Sequence, residues 1–227
     1  MVEQKRLINS QFNSNTYILS MKDEVSVWLV DPGDVQPVFD WMKRNNQREL
    51  KGILLTHTHF DHIYGVNDIL REFPECAVFV ANEYGKEGLT NIKQNGSKYT
   101  GNPIVIEKPD NVRFFESEMN LWPKVTLSSQ ITPGHSDDSI CFMIENLLFT
   151  GDTLLRGLRT VTKIRGGSVE KLTDSIQYFK QWQGLGYHVC PGHGEEFMLD
   201  GYDLQKAFGT CGKKIFSHRR QSSKIEI

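Results

Sequence analysis

The 227-residue sequence predicts an α/β protein in which two β-sheets pack face to face with helices on their outer faces. Three observations predict it. Short runs rich in β-branched and aromatic residues fall into two groups, one at each end of a polar stretch at 82–111. Segments with apolar residues at helical spacing are interspersed with both groups. No internal repeat, low-complexity linker or break in composition separates the groups, so residues 1–227 are expected to form a single domain.

Taken in order, "NTYILS" and "VSVWLVD" read as strands separated by the polar turn "MKDE". "DPGD" ends the second, and Val38, Trp41 and Met42 then predict a helix to about Asn45 with Asp34 as its cap. "GILLT" is a continuous apolar run of the kind buried on both faces of a sheet. Ile63, Val66, Ile69, Leu70 and Phe73 predict an amphipathic helix stopped by Pro74, and "CAVFVA" another strand. Residues 82–111, polar and glycine-bearing, are expected to form an irregular insertion beside a site. A meander should cover "VRFFE", "VTLSSQIT", "SICFMIE" and "NLLFTGD". Leu172, Ile176, Phe179 and Trp182 share one face of a helix over 168–182, and "YHVCPG" reads as the last strand.

Composition narrows the function. Lys and Arg number 26 against 28 Asp and Glu, a formal charge of −2, which is no footprint for a nucleic-acid binder. The basic C-terminal stretch "KKIFSHRRQSSK" reads as a solvated tail. No apolar run reaches signal-peptide or membrane-spanning length, so a cytoplasmic location without membrane association is expected. Cys76, Cys141, Cys190 and Cys211 are far apart and form no CxxC pair, as expected of reduced thiols, with Cys141 and Cys190 in apolar surroundings that favour burial.

"THTHFDHIYG" concentrates three of the seven histidines and an aspartate in six positions. In an extended chain His57 and His59 point to the same side and can share one metal. Asp61 and His62 fall at the start of the next helix and can face a second metal beside it. Three later segments repeat one pattern, an apolar strand and a glycine-bearing turn with a metal-competent side chain: "TPGHSDDSI" with His135, "LLFTGDTL" with Asp152 and "HVCPGHGEE" with His193. Five imidazoles and two carboxylates, without thiolate, suit zinc, although iron and manganese accept the same set. His188 and His218 lack such a context and read as structural or surface residues.

From "NTYIL" to "PGHG" the sequence resembles the metallo-β-lactamase superfamily, with "HTHFDH" as its HxHxDH motif followed in family order by His135, Asp152 and His193. The resemblance implies an αββα sandwich of two mixed sheets with the site along one sheet edge. It also implies two zinc ions per chain, one on His57, His59 and His135, the other on Asp61, His62 and His193, with Asp152 bridging both. Asp31 in "LVDPGD" would support the ligands from behind. Within the superfamily, "HTHFDH … TPGH … TGDT … GG … PGHG" is most similar to the glyoxalase II-like thioester hydrolases. Asp152 argues against the lactamase branches that place a cysteine there.

The function so implied is hydrolysis of an acyl bond in a small molecule, with hydroxide between the metals as nucleophile, Asp152 holding the pair and Asp61 steering the attack. Lactone or phosphoester hydrolysis at the same site, or a mononuclear-iron reaction like that of persulfide dioxygenases, is the alternative. The basic position of glutathione-using relatives falls here on Val161, and their C-terminal helical domain is expected to be absent or very short. Arg159, Lys163 and Arg165, with the 82–111 segment, are therefore the expected contacts for the substrate's anionic end.

Overall fold

The computed structural model describes residues 1–47 and 49–209. Its first sheet comprises β1 (Val2–Ile8), β2 (Asn15–Met21), β3 (Ser26–Val30), β4 (Glu49–Leu54), β5 (Ala77–Val80) and β6 (Val112–Phe114), lying side by side in that order. The first three pair antiparallel, and β3 through β6 pair parallel. The second comprises β7 (Glu118–Trp122), β8 (Val125–Ile131), β9 (Ile140–Ile144), β10 (Leu147–Gly151), β11 (His188–Pro191) and β12 (Phe197–Met198), again in chain order across the sheet. Only β10 and β11 pair parallel there. Both sheets are thus mixed.

Alternation along each strand sorts side chains into layers. Tyr17, Leu19, Trp28, Val30, Phe142 and Phe149 face the space between the sheets. Their neighbours Ile18, Val27, Leu29 and Ile53 face outward, against α1 (Val35–Arg44), α2 (Phe60–Ile63) and α3 (Val66–Glu72). On the opposite side Cys141, Leu148 and Val189 meet Leu172, Ile176 and Phe179 of α5 (Val169–Trp182). Two indoles tie the sheets together: Trp28 Nε1 donates to Leu121 O at 3.3 Å, and Trp122 Nε1 to Ser26 Oγ at 3.0 Å. Both polar tips are thereby satisfied inside an apolar layer.

Several expectations need correction. "VRFFE" does not join the meander; β6 pairs with β5 in the first sheet, because Phe115, just after it, packs between the sheets against Phe79 and Phe142. "YHVCPG" is not last, since β12 follows and pairs antiparallel with β11. The single helix expected over Ile63–Phe73 is interrupted at Tyr64–Gly65, where Gly65 N donates to Pro32 O at 3.1 Å. Asp34 occupies the cap position of α1 but gives its carboxylate to Ser10 and Tyr64 instead. Residues 82–111 are not wholly irregular: α4 (Glu83–Gly88), capped by the Asn82 side chain, opens the segment, and short 3-10 turns cover Ser97–Tyr99 and Pro109–Asn111. β1 and β7 are strands that the sequence pattern does not mark: β1 carries the polar run Glu3–Arg6, and β7 is a five-residue edge strand in which only Leu121 and Trp122 are buried.

Cys76, Cys141 and Cys190 are buried and unpaired, and burial pushes the Cys76 and Cys141 thiols up to about 12. Among the described residues no helix is long and apolar enough to cross a membrane. Cys211, His218 and the basic C-terminal stretch lie outside the described residues.

Candidate metal centre

Four strand ends converge on one cluster. Beyond β4, Leu55 and Thr56 carry the chain out of the sheet to His57 and His59, and α2 then presents Asp61 and His62. His135 lies between β8 and β9, Asp152 directly after β10, and His193 shortly after β11. Backbone bonds fasten these ends together: Ile140 N to Thr56 O at 2.9 Å, Gly192 N to Gly151 O at 2.8 Å, and Asn15 N to Gly192 O at 2.7 Å.

The polar atoms gather in two sets. One ligand atom each from His57, His59 and His135 lie within 4.8 Å of one another, as do those of Asp61, His62 and His193. Asp152 stands between the sets, with Oδ1 3.6 Å from His62 Nε2 and Oδ2 3.6 Å from His135 Nε2 and 3.5 Å from His193 Nε2. Asp61 Oδ2 lies 3.2 Å from His193 Nε2.

The far ring nitrogens are held by the surrounding protein. His62 Nδ1 meets Asp31 Oδ2 at 3.0 Å, His135 Nδ1 donates to Val161 O at 2.8 Å, and His193 Nδ1 to Phe12 O at 3.1 Å. Such bonds fix the tautomer and turn Nε2 toward the cluster. Asp31 also accepts from Thr56 N at 2.8 Å and Thr56 Oγ1 at 2.6 Å. Its oxygens are therefore engaged, and it buttresses His62 rather than joining the ligands, although it lies close enough to His57 and His62 to form a third set.

Electrostatics differ between the two sets. Burial, then the neighbouring imidazoles, hold His57 well below its ordinary pKa, and burial with His135 takes His59 down to about 3. Burial also disfavours charge on His62, but Asp61, Asp31 and Asp152 outweigh it and push its pKa up to about 10. Asp61 is held well below the carboxylate range because His62 and His193 outweigh its burial. One set is thus all imidazole, and the other includes the Asp61 carboxylate.

The cluster fits a divalent cation. His57 Nε2, His62 Nε2 and Asp152 Oδ1 are buried without a hydrogen-bond partner, an expensive arrangement unless a ligand completes it. Space is tight: a Cβ on Gly192 would strike Asp152 Oδ1 and come within 2.8 Å of His62 Cε1.

The structure brings the seven residues picked from the motifs into this cluster, with Asp31 behind them. Arg159, Lys163 and Arg165 are exposed on the loop after β10, the loop whose Val161 carbonyl holds His135. His188 pairs with Glu196 at 2.7 Å. With Cys190 these two could form another ligand group, but Gln4 Nε2 already donates to both Glu196 oxygens. Sequence reasoning missed Thr56, Thr58, Ser136 and Asp138, whose side chains join the cluster's supports. The hydroxyls interleaved in "THTH" and the carboxylates of "HSDDS" were the available signal.

Fold and site together define an αββα sandwich with a histidine–aspartate centre at its strand ends. The chain belongs to the metallo-beta-lactamase superfamily, whose family profile matches residues 10–194. Hydroxyacylglutathione hydrolase of Pseudoalteromonas translucida is 32% identical over 170 residues, covering 74% of this chain and 57% of its own. The protein of the same name from Hydrogenovibrio crunogenus is 34% identical over 135 residues, covering 60% of this chain and 42% of its own. The chain therefore spans about half the length of these curated relatives. The crystal structure of the B3 metallo-beta-lactamase BLEG-1 superposes with a TM-score of 0.76 at 30% identity, covering 88% of this chain and 94% of that one.

Proposed function

We propose that the chain is a dinuclear-metal-dependent hydrolase of acyl bonds, with thioesters as the favoured substrates. The observation that carries the reading is the pair of three-residue ligand sets with Asp152 between them. The names of the curated relatives support a thioester, since hydroxyacylglutathione is one. His57, His59 and His135 would hold one cation, Asp61, His62 and His193 the other, and Asp152 would bind both. Nitrogen and oxygen donors without thiolate favour zinc, with iron or manganese as substitutes. Bound divalent cations would supply Lewis acidity and a water acidic enough to attack at neutral pH.

This chain's residues supply the rest. Asp61, beside His193, accepts a hydrogen bond from the attacking water and orients it toward the acyl carbon. Phe12 and Phe60, edge to face at 5.3 Å, form an apolar wall beside His193 and His59. The 82–111 segment closes that side, with Asn95 O accepting from Phe60 N at 2.8 Å. Arg159, Lys163 and Arg165 meet the anionic end of the substrate from the loop that positions His135. The buried thiols suit a reducing compartment, and we place the protein in the cytoplasm, acting as one domain on a small molecule.

The test begins with elemental analysis of the gently purified protein, followed by assays against thioesters, lactones, a phosphodiester and a chromogenic cephalosporin. The cephalosporin is included because BLEG-1, at 30% identity, is a lactamase by name. About two zincs per chain and thioester turnover are expected, with Asp152→Ala losing metal and activity together by about a thousandfold or more. Full activity of that variant with both metals bound would overturn the assignment. A single iron with oxygen uptake would replace it with the dioxygenase reading.

A further inference from the structure

We propose that Asp138 is a positioning residue for the His57, His59 and His135 half of the centre, an inference that rests on the metal reading above. Asp138 is 1% exposed and carries one hydroxyl on each carboxylate oxygen. Thr58 Oγ1 donates to Oδ2 at 2.7 Å, and Ser136 Oγ donates to Oδ1. Thr58 sits between His57 and His59, and Ser136 follows His135. One carboxylate therefore ties together the two loops that carry all three imidazoles.

The direction of these contacts explains how the tie works. Where His57 and His59 point inward from an extended segment, Thr58 points the other way. Anchoring Thr58 fixes the rotation of that segment about its own axis, and with it the aim of both rings. Anchoring Ser136 does the same for the turn that presents His135. None of the hydrogen bonds that Asp138 makes reaches an imidazole, so it acts through its two donors.

The fold protects this arrangement. Gly85 and Gly88, one turn apart on α4, face the carboxylate and its donor. A Cβ at Gly85 would lie 3.1 Å from Asp138 Oδ2, and one at Gly88 would strike Thr58 Oγ1. The short helix therefore packs close over the pair. A buried carboxylate is costly, and burial raises its pKa despite the Ser136 and Thr58 bonds. Packing alone would be better met by an apolar residue. Asp31 makes a second tie, joining Thr56, whose hydroxyl lies 3.2 Å from His57 Nδ1, to His62. Two buried carboxylates thus buttress the centre, Asp138 through the supports of the first set and Asp31 across both.

The test is release of metal from the loaded protein by a chelator, followed as metal per chain. In Asp138→Asn, one of the two metals should leave at chelator concentrations about 10–100-fold lower than in the wild type, with the other unchanged. Thr58→Val, which keeps side-chain volume and removes one donor, should shift the same metal in the same direction and guards against a misfolded Asp138 variant. In a His59→Ala background, Asp138→Asn should have no further effect on the metal that remains. Wild-type release curves in both Asp138→Asn and Thr58→Val would overturn the proposal, even if thermal stability fell. A wild-type protein that holds no metal would overturn the metal reading itself, a separate failure.

Discussion

Gly192 has no side chain, and the space that a methyl would need is already taken by Asp152 and His62. Gly192→Ala is expected to reduce metal content at least tenfold under mild chelation while leaving the far-ultraviolet circular dichroism unchanged. Retention of wild-type metal would show that the Asp152 carboxylate can move aside. Asp31 makes a related point, since it adopts φ +49°, uncommon outside glycine, and holds three hydrogen bonds there. Sequence reading found the residues that carry metal-competent atoms, because those types are scarce and their spacing is informative. It missed Thr58, Ser136 and Asp138, since hydroxyls and carboxylates are common on any surface and only the folded chain shows them buried and joined. The carbonyls of Phe12 and Val161 were beyond its reach, because a backbone carbonyl leaves no mark in residue identity.

At the scale of elements, Asp34 joins three pieces: the turn after β1 through Ser10, the start of α1, and Tyr64 at the end of α2. Burial works against its charge, but hydrogen bonds from Tyr64 and Ser10 outweigh this and hold its pKa below the ordinary carboxylate value. A group with a lowered folded pKa stabilises at neutral pH, and the contribution is lost as pH falls through that value. Asp34→Asn should thus lower stability by about 1 kcal/mol at pH 7, and the difference should vanish in acid. Denaturant melts of both proteins at several pH values would check this, and an equal gap at every pH would count against it. Strands with clear alternation or continuous apolar runs were legible. The polar edge strand β1 was not, because its side chains Gln4 and Arg6 are held by Glu196, Glu195 and Gly194 of the connection between β11 and β12, far away in sequence. Sheet membership of β6 was equally hidden, since pairing partners far apart in sequence are not encoded locally.

For the whole molecule, the ligand sets draw on both sheets. The chain around β4 and α2 provides His57, His59, Asp61 and His62, and the second sheet provides His135, Asp152 and His193. A cation bound at both sources favours the docked arrangement by mass action. Stripping the metal should lower the unfolding temperature by about 5–10 °C, and added zinc should restore it. Scanning calorimetry of stripped and reloaded protein would decide, and identical transitions would deny the metal any part in holding the sheets together.

That division of ligands also bears on how the protein is made. Each proposed set is completed only by a residue beyond the first sheet, His135 for one and His193 for the other. A chain still leaving the ribosome can complete the first set once His135 has emerged, but must wait for His193 to complete the second. Occupancy of both sets would then mark a chain translated and folded past His193, and products truncated before it would lack the second set.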